Sequence, residues 1–298
     1  MAVDLNAIRA EYPYTPKSFD LGGQRLSYLD EGPPHAPVVA MLHGNPTWSF
    51  YFRHLVSALR TRYRVIVPDH MGCGLSDRPR EYEYTLRRRI DDFGALVHHL
   101  GLRRLSLAVH DWGGAIGFGF ATRNPGMIET LTVMNTAAFR SGRMPWRIRV
   151  SGWPLIGELA LLQGNMFLRA AIDLQMATAK PERFTSAVRE GYFAPYGSPW
   201  ERMAILAFVR DIPMKPGHPS YETLTDVEDR LYLLADKPMT LIWGMRDWCF
   251  NSHFLGEWGR RFPDAEVVKL EDAGHFVCED APERVITAME PMLEKVAR

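Results

Sequence analysis

The chain has 298 residues, 46% of them hydrophobic, enough for the core of one large domain or two modest ones and too many for a disordered chain. Its 35 basic residues are balanced by 35 acidic ones spread along the sequence, which argues against nucleic acid or an anionic membrane as a partner and points to a small neutral molecule. Three scattered cysteines, Cys73, Cys249 and Cys278, form neither a disulfide framework nor a zinc spacing, so a reducing cytoplasm is expected.

Met1 to Tyr14 carries Asp4, Arg9 and Glu11 where an export signal needs an unbroken apolar segment. Ser18 to Tyr28, with Gly22-Gly23 at its centre, reads as an antiparallel hairpin at a sheet edge. Six apolar runs then read as strands: Pro37 to Leu42, Arg64 to Pro68, Leu105 to Val109, Leu131 to Met134, Met239 to Trp243 and Glu266 to Leu270. Helical patterns separate them, which predicts an α/β fold with a mainly parallel sheet and helices on both faces.

The alternation stops between Asn135 and about Pro219, where helix formers dominate. A helical cap over 140–219 is expected, inserted into a core of 1–139 and 220–298. Trp153 to Ala179 is its most apolar stretch, but Glu158, Arg169 and Asp173 make it a poor membrane span, so it reads as cap helices. The cap is rich in large side chains (Trp146, Trp153, Met166, Phe167, Phe184, Tyr192, Phe193, Trp200, Phe208); most are expected to pack it on the core and a few to line a pocket.

Chemistry concentrates at Leu105 to Gly114, where an apolar strand runs through His110 and Asp111 into Trp112-Gly113-Gly114. This is a strand-turn-helix elbow, which exposes its central side chain at the carboxyl edge of a sheet; the helix is expected to open at Gly113. Asp111 stands in the nucleophile position, with Val109 where the serine version of the motif has glycine. An aspartate is already an anion near neutral pH and can displace a leaving group from carbon, forming an ester. By itself Asp111 is equally a helix cap. Asp247, after one strand, and His275, in Asp-Ala-Gly-His-Phe after the next, supply an orienting acid and a base in the order nucleophile, acid, base.

His43-Gly44-Asn45-Pro46-Thr47-Trp48 follows the first parallel strand and should pass beside the nucleophile. The Asn45 amide and Trp112 indole are then candidate donors to a departing anion. The loop Asp69 to Pro79 lacks the lysine of a phosphate loop and the third glycine of a dinucleotide fingerprint, and reads as structural. Neither nucleotide nor metal is expected.

In His43 to Thr47, His110 to Gly114 and Gly274-His275 the chain resembles the α/β-hydrolase superfamily and, within it, the haloalkane dehalogenases. That resemblance implies a halide between Asn45 and Trp112. Further segments, Asp69 to Asp77, Asn135 to Phe139, Phe208 to Pro213 and His218 to Tyr221, resemble the β-lactone decarboxylases of bacterial olefin synthesis. This likeness implies conversion of cis-3,4-dialkyl β-lactones to cis-alkenes and carbon dioxide, and association with other enzymes of that route. Two further readings stand beside these. An epoxide hydrolase would need acidic donors such as Tyr192 or Tyr196, and a retired scaffold would only bind an apolar ligand.

Overall fold

The computed structural model describes residues 3–296. Among them eight strands form one sheet: β1 (Lys17–Asp20), β2 (Arg25–Glu31), β3 (Val38–Leu42), β4 (Arg64–Pro68), β5 (Leu105–Asp111), β6 (Ile128–Thr136), β7 (Met239–Gly244) and β8 (Glu266–Leu270). Their spatial order is β1-β2-β4-β3-β5-β6-β7-β8; the pairs β1–β2 and β2–β4 are antiparallel and every other pair is parallel. The hairpin turns at Gly22 and Gly23, whose φ values of 66° and 84° suit glycine.

Successive residues of a strand face opposite sides, so a sheet covered on both faces needs continuous apolar runs. In β3, Val39 and Met41 pack into one core cluster while Ala40 and Leu42 pack into the other. The six runs read as strands fall within two residues of the observed bounds except in β6, where Leu131–Met134 is only the centre of a strand that runs from Ile128 to Thr136, and the hairpin runs on to Glu31, beyond the expected Tyr28. The ends were obscured by Glu129, Thr130, Asn135 and Thr136, polar residues that the structure pairs or buries.

Among the described residues eleven α-helices surround the sheet: α1 (Arg53–Leu59), α2 (Leu86–His99), α3 (Trp112–Arg123), α4 (Trp146–Ser151), α5 (Met166–Ile172), α6 (Ser186–Phe193), α7 (Met203–Arg210), α8 (Tyr221–Asp229), α9 (Ser252–Arg261), α10 (Val277–Asp280) and α11 (Pro282–Val296). The start of α2 shows why such sequences turn helical: the Thr85 hydroxyl accepts from the Arg88 N–H, and Leu86, Ile90, Phe93 and Val97 follow on one buried stripe. Helix α3 opens at Trp112, one residue before the expected Gly113.

Between β6 and β7 no strand occurs among the described residues. Trp153 to Ala179 is less helical than its sequence suggests. Residues 152–155 turn, Glu158–Gln163 makes a π-helical turn, and α5 follows. No helix among the described residues is long and apolar enough to cross a membrane.

The loop Asp69 to Pro79 is a knot of turns. Asp69 accepts from the Ser49 and Leu75 N–H groups at 2.7 and 2.9 Å, the Ser76 hydroxyl donates to the Asp69 carbonyl, and Arg78 donates to Gly74 and to Pro195 of the helical segment. Burial pushes the Asp69 carboxyl up to about 6.

Candidate active site

Asp111 ends β5 with φ 51° and ψ −125°, a conformation costly for any residue with a side chain. Its surroundings enforce it. A Cβ on Gly44 would lie 2.0 Å from Asp111 Oδ1, and one on Gly113 would lie 1.9 Å from the Leu42 carbonyl oxygen, so both neighbours must be glycine for the backbones to meet. The departure at Val109 is absorbed across the interface, because the Val109 Cγ1 occupies the space where a Cβ of Gly117 on α3 would stand.

The Asn45 backbone N–H donates to Asp111 Oδ1 at 2.7 Å. The other carboxylate oxygen, Oδ2, lies 3.7 Å from His275 Nε2, too far for a hydrogen bond, and is the oxygen left free to react. Burial raises the pKa of Asp111, while the His275 charge and the N–H groups of Asn45 and Trp112 oppose that rise.

His275 Nδ1 is 2.7 Å from Asp247 Oδ2, which also accepts the Asn135 amide at 2.9 Å, while Asp247 Oδ1 accepts the Cys249 N–H at 2.7 Å. Burial alone would depress the His275 pKa, but Asp247, helped by Asp111 and Asp280, outweighs it and leaves the imidazole raised. The imidazole of His110 donates from Nε2 to the His275 carbonyl at 2.8 Å. Burial, and then the His275 charge, hold His110 far below the usual imidazole range.

Five residues singled out from the sequence therefore converge. Asn45, Asp111, Trp112 and His275 line one cavity of about 360 Å³, and Asp247 stands behind His275. The remaining lining is mainly apolar and comes from both layers, including Ala115, Phe139, Ile148, Phe167, Val209 and Phe254.

The structure narrows what Asn45 can donate. Its side-chain Nδ2 donates to the Ile205 carbonyl at 3.1 Å and its backbone N–H is taken by Asp111, so only the second amide hydrogen remains for a ligand. The Trp112 indole N–H has no protein acceptor among the described residues, and Phe208 backs the ring at 5.3 Å. Of the nine large cap side chains, Met166 and Phe167 line the cavity. Tyr192 and Tyr196 do not. The Tyr192 hydroxyl donates to Glu279 at 2.6 Å and that of Tyr196 to the Thr47 carbonyl at 3.3 Å, which removes the proton donors that an epoxide hydrolase would need.

Sequence reasoning missed the roles of Asn135 and His110. The available signals were position only: Asn135 sits at the carboxyl end of β6 with φ 34°, a conformation asparagine tolerates better than most residues, and His110 adjoins the elbow. His43 and His70 form another unpredicted pair. The His70 N–H donates to His43 Nε2 at 3.1 Å and His70 Nε2 donates to the His43 carbonyl at 2.9 Å, fixing the loop that carries Asn45.

Residues 37–282 match the family described as alpha/beta hydrolase fold. The cis-3-alkyl-4-alkyloxetan-2-one decarboxylase of Xanthomonas campestris is 42% identical over 296 residues, covering 95% of this chain and 97% of that protein. Haloalkane dehalogenase 2 of Mycobacterium tuberculosis is 32% identical over 292 residues, covering 97% and 98%. A crystal structure of a haloalkane dehalogenase from Bradyrhizobium elkani matches with a TM-score of 0.84 at 25% identity, over 95% of this chain and 98% of that one. The chain belongs to the α/β-hydrolase fold family, as an enzyme of the branch that contains the cis-3-alkyl-4-alkyloxetan-2-one decarboxylases and the haloalkane dehalogenases.

Proposed function

We propose that the enzyme converts cis-3,4-dialkyl β-lactones to cis-alkenes and carbon dioxide through a covalent intermediate on Asp111. The observation that carries this reading is the free Oδ2 of Asp111 in an apolar cavity, in a chain 42% identical to a cis-3-alkyl-4-alkyloxetan-2-one decarboxylase.

In the first step Oδ2 attacks the β-carbon with inversion. The ring C–O bond breaks and its electron pair leaves on oxygen as a carboxylate, with the Trp112 indole and the second Asn45 amide hydrogen as donors. The bond to that carboxylate then breaks, its pair forms the alkene, and the ester C–O bond opens to return Asp111 as an anion. Inversion followed by anti loss is a net syn loss, so a cis-lactone gives a cis-alkene. Attack at the lactone carbonyl to give an anhydride is the competing route.

A second reading, hydrolysis of haloalkanes, is favoured by the His275–Asp247 pair at 2.7 Å, because a buried, oriented base is what hydrolysis of an Asp111 ester requires. We take residues 140–219 as a cap over a core of 1–139 and 220–298. The unpaired Cys73, Cys249 and Cys278 fit a reducing cytoplasm. Association with other olefin-pathway enzymes is proposed from the likeness alone.

The test gives the purified enzyme a cis-3,4-dialkyl β-lactone and, separately, a bromoalkane, and measures alkene and bromide on one preparation. Efficient alkene formation with slow bromide release supports the lactone reading. Rapid bromide release with untouched lactone overturns it and leaves a dehalogenase.

A further inference from the structure

A chain with zero net charge hides a local asymmetry. Eleven large apolar side chains stand exposed among the described residues, and seven of them fall between Trp146 and Leu174. Trp146 is 69% exposed, Trp153 50%, Leu155 75% and Leu159 67%. Single exposed leucines need no explanation, but exposed large apolar side chains concentrated in one segment of a folded protein point to an interface. Leu155 adds a second sign, because its backbone adopts φ 66°, a strained conformation for leucine, in the turn that carries its side chain outward.

The charges of the same stretch are one-sided. Its two acids are neutralised from outside it: Glu158 by Arg210 at 2.7 Å and Asp173 by Arg189 at 2.6 Å. Arg143, Arg147, Arg149 and Arg169 are exposed and form no ion pair among the described residues. Tryptophan and leucine interspersed with unpaired arginine is the composition of surfaces that lie at the headgroup boundary of an anionic bilayer. A protein partner would need no such excess of one sign.

The position of the patch is equally informative. Arg143, Arg147 and Met166 belong both to this face and to the lining of the cavity that holds Asp111. The cavity therefore opens where the exposed apolar side chains stand.

We propose that the face formed by 143–174 docks on an anionic lipid surface, with Trp146, Trp153, Leu155 and Leu159 in the headgroup boundary and the arginines on the phosphates, so that the cavity opens toward the membrane. Docking rests on this surface alone; only its use, delivery of a water-insoluble substrate to Asp111, rests on the proposed function. The proposal departs from the expectation, drawn from overall charge, that no anionic membrane is bound.

The full chain is sedimented with vesicles of phosphatidylcholine mixed with phosphatidylglycerol, and with phosphatidylcholine alone, while tryptophan emission is recorded. Binding to the anionic vesicles with a blue shift is expected. Trp153→Gln/Leu155→Gln/Leu159→Gln should lower the partition coefficient about tenfold or more, and Arg149→Glu should weaken binding about threefold or more, to anionic vesicles only. None of these four residues lines the cavity, and circular dichroism with thermal unfolding checks that the variants remain folded. Wild-type protein left in the supernatant with both vesicle types, or triple-variant binding equal to wild type, overturns the proposal. So does self-association abolished by the triple variant without vesicle binding, which assigns the face to a second copy. Inactivity toward a β-lactone leaves every one of these readouts unchanged.

Discussion

Asn135 on β6 donates its amide to Asp247 Oδ2 at 2.9 Å, while its own Oδ1 accepts the Gly244 N–H of β7 at 2.8 Å. One side chain thus stitches two strands and fixes the carboxylate that orients His275. Replacing it with alanine strands a buried N–H and removes one hydrogen bond from a buried anion. Asn135→Ala should cost about 2–4 kcal/mol of stability, measured by urea unfolding, and slow any step that needs His275 by about tenfold or more. Bromide release unchanged in a folded variant would show that Asp247 does not depend on Asn135.

Asp111→Asn keeps the shape of the elbow but removes the anion. Turnover of lactone and of bromoalkane should both fall by at least about 10⁴-fold, while binding of an apolar ligand persists. A variant that retains turnover would sink the nucleophile assignment, and a protein whose biological role survives the change is a binder.

The two proposed reactions should separate with pH. Asp111 acts as an anion and burial raises its pKa, so the acid limb common to both substrates should have its midpoint above the ordinary carboxylate value of 3.8. His275 acts as a neutral base in ester hydrolysis, and with Asp247 holding its pKa above 6.5 the neutral form is lost as pH falls through that raised value. Bromoalkane hydrolysis should therefore decline at higher pH than alkene formation does. Coincident limbs in the two profiles would place His275 in both reactions.

The fold and the candidate site residues were legible because their signals are local. Apolar runs of strand length, glycines after Asp111, and a histidine after the last strand each declare themselves within about ten residues of sequence. What escaped was long-range pairing. Asn135 meets Asp247 across 112 positions, and His110 meets His275 across 165. Tyr192 was a candidate acidic donor only for an epoxide hydrolase, and the bond that takes up its hydroxyl comes from Glu279, at the far end of the chain. The side chain of Asn45 was legible as a candidate donor at the site, but its bond to Ile205 of α7 depends on how the helical segment sits.

That same Glu279 forms a buried pair with Arg53, Oε2 lying 2.9 Å from Nη2, and both side chains are at most 2% exposed. Removing one partner leaves the other charge stranded in an apolar interior. Arg53→Met should destabilise the protein by about 3–5 kcal/mol, and Arg53→Met/Glu279→Leu should recover much of that loss, as read from paired urea midpoints. Equal losses in the single and double variants would mean that packing, rather than unpaired charge, dominates the site.

The elbow offers the last test, since its valine and a glycine on α3 are complementary. An ideal Cβ on Gly117 would lie 2.6 Å from Val109 Cγ1 and 3.2 Å from Leu42 Cδ1. Gly117→Ala raises intrinsic helix propensity, a gain of about 1 kcal/mol. The clash is expected to win, because Val109 is β-branched, held on a buried strand and unable to swing away, and overpacking of this kind costs about 1–3 kcal/mol. The single variant should be destabilised and should lose activity, since α3 can relieve the contact only by shifting the turn that carries Asp111. Val109→Ala opens the space the new methyl needs, so Val109→Ala/Gly117→Ala should be more stable than the sum of the single changes allows, a coupling of about 1 kcal/mol or more in a double-mutant cycle. Additive losses would mean that Val109 and Gly117 do not press on each other, and that the elbow tolerates valine for another reason.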